Sequence, residues 1–186
     1  MLFLSISFGL INILYIPATF YICWSKGGRF SFVDYPISYA SRTKIKTFYS
    51  TSLVLIAVFQ ILFVSGLFVL LNKINTIFLQ GLFYSGMISL ALSGIVTSRM
   101  SKTLHRVFVL YMIVSITIWS FLFSSIFLEM NFYLRAIGML IPLLASVGVP
   151  ILYLKTKAFG LSEILFATLT VIWNILFLYA LFASLL

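Results

Sequence analysis

Of the three carboxylates and one histidine in this sequence, Asp34, His105 and Glu163 fall where one site could gather them, while Glu129 follows the fourth apolar run. Asp34 lies in the run Asp34-Tyr35-Pro36-Ile37-Ser38-Tyr39, the single histidine His105 stands beside Arg106, and Glu163 follows Gly160 and Ser162. An Asp and a His together can form a general base and its orienting partner, acting on a head-group ester through water or a serine. Ser38, Ser41 and Ser101 are the candidate hydroxyls, and none has a diagnostic setting. There is no HExxH, no G-x-S-x-G and no second histidine for a zinc site. The one cysteine, Cys23, excludes an internal disulfide and a CxxC redox pair. Catalysis is thus weakly supported: the sequence marks no catalytic residue, no metal ligand and no cofactor, and it favours binding over chemistry.

The elements that must position these residues are read from hydropathy. Residues of the AVILMFWYC set make up 63% of the 186, and 8% are charged. Soluble domains carry about 25% charged residues, so a water-soluble globule is excluded. A nucleic-acid binder is excluded as well, because the basic residues sit between long apolar runs. Six such runs are expected to span a membrane, at about 2–24, 48–71, 77–97, 107–128, 133–154 and 161–186. Each approaches or reaches the roughly 20 residues a crossing needs. They are apolar all round and do not alternate as barrel strands would. The expected fold is all-α, one polytopic domain (1–186) of six transmembrane helices. The first run has no basic region before it and no small-residue cleavage site after it, so it reads as a retained span.

Lys and Arg divide unevenly between the connectors. Lys26, Arg29, Arg42, Lys44 and Lys46 follow the first run, Arg99, Lys102 and Arg106 the third, and Lys155 and Lys157 the fifth, against only Lys73 and Arg135 on the other side. The positive-inside rule turns the basic connectors to the cytoplasm and both termini outward, in the cell membrane. The same topology gathers Asp34, His105 and Glu163 on the basic side. Asp34, His105, Arg106, Arg42, Arg99, Lys102 and Glu163 therefore form a candidate site for an anionic lipid head group. The competing reading is the ordinary topology signal, with Glu163 favoured by the positive end of a helix dipole.

Within the spans, Gly81, Ser85, Ser89, Ser93 and Thr97 recur every four residues on one helix face, a packing seam. Gly138, Pro142, Ser146 and Pro150 do the same in the fifth run, where Pro142 and Pro150 predict a bend or hinge. Asn12, Gln60, Gln80 and Asn174 are expected to bridge helices by hydrogen bonds. No carboxylate lies at mid-membrane depth, which argues against an ion-coupled pump.

The order Asp34-Tyr35-Pro36-Ile37-Ser38-Tyr39, a span, a Gly/Ser-rich span and then Leu104-His105 opening the fourth resembles the Frag/DRAM/Sfk group and related prokaryotic membrane proteins. The likeness covers about 35–128 and rests on Pro36, Ile37, Ser38 and His105. Where that group has an acid and a glycine, Tyr39, Ala40 and Ser41 stand here. The resemblance implies six spans and a role in lipid remodelling, lipid asymmetry or membrane trafficking. It also implies a first connector on the luminal or outer side, opposite to the charge count, and the two orientations stay open. Three functions follow: a protein that binds or organises anionic phospholipid at one membrane face, a small-solute or ion carrier, and a non-catalytic subunit. The expected partners are membrane lipids and another membrane protein, without nucleic acid.

Overall fold

A computed structural model describes residues 2–28, 31, 35, 37–70, 77–127, 132–156 and 159–183. Six helices run in chain order: α1 (Leu2–Lys26), α2 (Lys46–Leu70), α3 (Ile77–Ile95), α4 (Lys102–Phe127), α5 (Phe132–Thr156) and α6 (Phe159–Ala183). A six-residue 3-10 helix, Ile37–Arg42, lies between α1 and α2. All six long helices are apolar and long enough to cross a membrane, and the chain is an integral, multi-pass membrane protein. At 1.5 Å per residue a 25-residue helix is about 37 Å long, more than the roughly 30 Å hydrocarbon core.

The fourth helix begins well ahead of its apolar run. α4 starts at Lys102, where the Ser101 hydroxyl accepts the Leu104 amide at 3.3 Å and the Ser101 carbonyl accepts the His105 amide at 3.0 Å. Capping chemistry of this kind sets a helix start independently of apolarity.

Each helix packs against its neighbours in sequence, and α6 returns to α1, so the six form a closed ring. Successive helices are antiparallel. One end of the ring therefore carries the basic connectors, after α1, α3 and α5; it is called the basic end below. The far half is filled by aromatic rings from four helices. Trp173 and Phe177 stack at 4.0 Å between centroids, Phe83 meets Trp119 at 4.5 Å, and Trp119 meets Phe123 at 4.8 Å. Phe68 joins them edge-on to Phe123 at 5.4 Å. Association in lipid depends on such packing, because tails are as apolar as leucine.

The expected seam on α3 is realised against α4. Ser89 Oγ donates to the Phe108 carbonyl at 2.9 Å, and the Tyr111 hydroxyl donates to Ser85 Oγ at 3.0 Å. Between them Gly86 is tight: a Cβ there would come within 2.8 Å of the Ile116 side chain. Gly81 stands outside the seam, exposed, with no atom within 4 Å of an added Cβ. In α5, Pro142 is buried while Ser146 and Pro150 are exposed, and the helix runs unbroken through both prolines.

Candidate functional site

Between the aromatic cluster and the basic end the ring holds a partly open cavity of about 140 Å³. Its floor is Phe83, Trp119 and Trp173, and its walls are mostly aliphatic, among them Ile56, Met87, Met112 and Leu169. Ile37 of the 3-10 helix and Glu163 of α6 border it towards the basic end.

The 3-10 helix closes that end. Ile37, Ser38, Ala40 and Ser41 are buried, and Ile37 and Ala40 pack with Cys23 of α1 and Tyr49 of α2. The first amides of any helix lack partners in their own turn. Here one is satisfied from far along the chain, as Glu163 Oε2 accepts the Ile37 N–H at 2.5 Å, with the Ser38 amide beside it. A carboxyl oxygen at this position favours the helix start by hydrogen bonding. Thr43 Oγ1 donates to the Ala40 carbonyl at 2.9 Å and secures the other end of the lid.

Most hydroxyls on the cavity wall are committed to their own helices: Ser93 to the Leu90 carbonyl at 2.7 Å, Ser120 to Ile116 at 2.6 Å, and Thr170 to Phe166 at 2.9 Å. Four other lining residues differ. Gln60 Nε2, Thr117 Oγ1, Trp119 Nε1 and both amide atoms of Asn174 are buried and meet no partner among the described residues. Asn12, also fully buried, leaves both of its amide atoms unpaired. The expected interhelical bridges through Asn12 and Asn174 are thus not made, and the Gln60 amide nitrogen is free. Gln60, Thr117, Trp119 and Asn174 come from α2, α4 and α6 and lie about 20–25 Å along those helices from the basic end. Thr117 and Trp119 escape a reading of the sequence because each sits in an apolar run; equal distance from the three helix starts is the signal that joins them to Gln60 and Asn174.

The basic end is ringed by cations. Lys26, Arg42, Lys44, Lys46, Arg99, Lys102 and Arg106 are all exposed. Of the residues expected to join them, Asp34 lies outside the described residues. Glu163 is turned inward to the lid. His105 is buried at 4% exposure, and its Nδ1 lies 3.0 Å from both the Ser93 and Val96 carbonyls. Two carbonyl partners require Nδ1 to carry the proton and donate. His105 therefore ties the end of α3 to the start of α4. His105→Ala is expected to cost about 1–3 kcal/mol by leaving buried carbonyls unpaired. The check is thermal unfolding in detergent, in which His105→Asn, which keeps a donor, recovers part of the loss.

On the membrane-facing side, α1 and α6 leave a groove of about 330 Å³ lined by Pro17, Tyr21 and Trp24 of α1 and Ile164, Thr168 and Val171 of α6. Ile16, Phe20 and Ala167 border both this groove and the central cavity, so these side chains form the partition between them. The fold and site define an integral membrane protein, a closed six-helix ring with a lidded cavity and a basic rim. Comparison of the chain with protein-family models, curated proteins and solved structures finds no match.

Proposed function

We propose that this protein binds anionic phospholipid at its basic end, with phosphate at the cationic rim and an acyl chain in the α1–α6 groove. The observation that carries this reading is the exposed ring of Arg and Lys above a groove that opens to lipid, with Lys26 two residues beyond Trp24. Arginine and lysine offer charged donors to phosphate, and a juxtamembrane cation is worth about 1 kcal/mol against an anionic surface. Tyr21, 65% exposed on α1, suits the head-group level where amphipathic rings settle. His105 and Glu163 serve the frame of the site and leave recognition to the cations.

Native mass spectrometry of the protein titrated with phosphatidylglycerol and phosphatidylcholine tests this. The parent is expected to retain phosphatidylglycerol preferentially. Arg42→Gln/Lys44→Gln/Lys46→Gln removes the three rim cations that follow the lid beside α1, and should weaken that preference by roughly 100-fold at low salt. Equal retention of both lipids by the parent, or an unchanged preference in the triple variant, would remove the basis of the reading.

A further inference from the structure

We infer that the central cavity is a second binding site, for an uncharged, ring-sized molecule that carries carbonyl oxygens. The inference is independent of the phospholipid reading, since it rests on different residues at a different depth. Gln60, Trp119 and Asn174 are at most 5% exposed, line the cavity and have polar atoms without a partner among the described residues. Buried polar groups in folded proteins are almost always paired, so several orphans on residues that line one cavity mark a place where a side-chain turn towards the void would let something else supply the partner.

The atoms themselves define the ligand's chemistry. Gln60 Nε2, Trp119 Nε1 and Asn174 Nδ2 can only donate, the Thr117 hydroxyl can do either, and Asn174 Oδ1 alone is confined to accepting. An excess of donors calls for a ligand rich in acceptors, with carbonyl oxygens the plainest choice. A cation would find a single dedicated acceptor among these atoms, and Glu163, about 16 Å nearer the basic end along α6, is committed to the lid amides. An anion would find no cationic side chain on the cavity wall among the described residues. The remaining wall is aliphatic and aromatic, so the body of the ligand is apolar. The volume of about 140 Å³ is close to the roughly 150 Å³ that accommodates a benzene ring in a protein interior. A flat ring bearing opposed carbonyls, as in a quinone, meets all of these demands. The thin partition of Ile16, Phe20 and Ala167 offers a route from the membrane through the α1–α6 groove.

The probe is duroquinone, whose fully methylated ring resists addition of the Cys23 thiol. Of the three tryptophans, Trp119 and Trp173 lie on the cavity floor, so a Trp24→Phe background confines the fluorescence to the site. Duroquinone added to this protein in nanodiscs is expected to quench it saturably. Gln60→Leu/Asn174→Leu should weaken binding at least tenfold. Ser125→Ala, whose hydroxyl is used within α4 and lies off the cavity wall, should leave it within twofold. If the double variant does not fold, Gln60→Met alone should still weaken binding several-fold. The cationic-rim triple variant should bind the quinone as the parent does, which separates failure of this site from failure of the phospholipid site. A decyl-chain quinone is the second arm: saturable binding of both probes supports a site open to free rings, and binding of the tailed probe alone supports a lipid ligand. Quenching by both probes that never saturates, or that is unchanged in the variants, overturns the inference. So does displacement of duroquinone by durene, the same ring without carbonyls, at equal affinity.

Discussion

Glu163→Leu should release the lid and expose Cys23. In the parent Cys23 is fully buried beneath Ile37 and Ala40, and the lid's first amide depends on Glu163, 126 residues away. Removing the carboxyl leaves the buried amides of Ile37 and Ser38 unpaired, at about 1–3 kcal/mol each. A total near 3–4 kcal/mol corresponds to several hundred-fold in the population of the open lid. The measurement is the rate of Cys23 modification by a membrane-impermeant maleimide in nanodiscs, where both faces are accessible. An increase of 100-fold or more is expected in Glu163→Leu. Glu163→Gln keeps an acceptor and should stay within about tenfold of the parent. A Leu variant labelled no faster than the parent would show that packing alone holds the lid.

The second large effect belongs to Trp119. It is 1% exposed, forms part of the cavity floor, and its ring contacts Phe68, Phe83, Phe123 and Trp173. Truncating a large buried aromatic costs about 3–5 kcal/mol, as packing is lost and a void remains. Trp119→Ala is therefore expected to lower the unfolding temperature more than any other single change at the cavity. Trp119→Phe fills most of the space and removes an indole N–H that has no partner among the described residues, so its loss should be under about 1.5 kcal/mol. Thermal unfolding of the two variants in one detergent settles the order. Equal losses would mean that the indole N–H, and not the ring volume, is what the site requires.

The six helices were legible because apolar runs of about 20 residues have few other uses. Their ends were less so: Lys102 opens α4 through a cap at Ser101, and neither residue contributes to hydropathy. The α3 seam followed from spacing, yet spacing alone could not show that Gly81 falls beyond the surface that α4 covers. The cations of the basic end share one end of the ring because connectors after alternate helices must do so. Glu163 and His105 were assigned to that end too, and they do lie near it, but both turn inward to backbone partners. Side-chain direction at a helix start depends on what the neighbouring connector offers, and that is tertiary information. Gln60 and Asn174 were visible as polar residues in apolar runs. Their lack of partners was not, because it arises only once a ring of six helices leaves a void at their common depth.

The most direct test of the phospholipid reading is where the lipid sits. Phosphatidylglycerol carrying a photoactivatable diazirine in its acyl chain, reconstituted with the protein and irradiated, reports its neighbours by peptide mass spectrometry. Adducts are predicted on the groove segments of α1 (16–24) and α6 (164–171), suppressed when Lys26→Gln is combined with the rim variant. Adducts spread evenly over the exposed faces of α4 and α5, with no enrichment at the groove, would contradict the account.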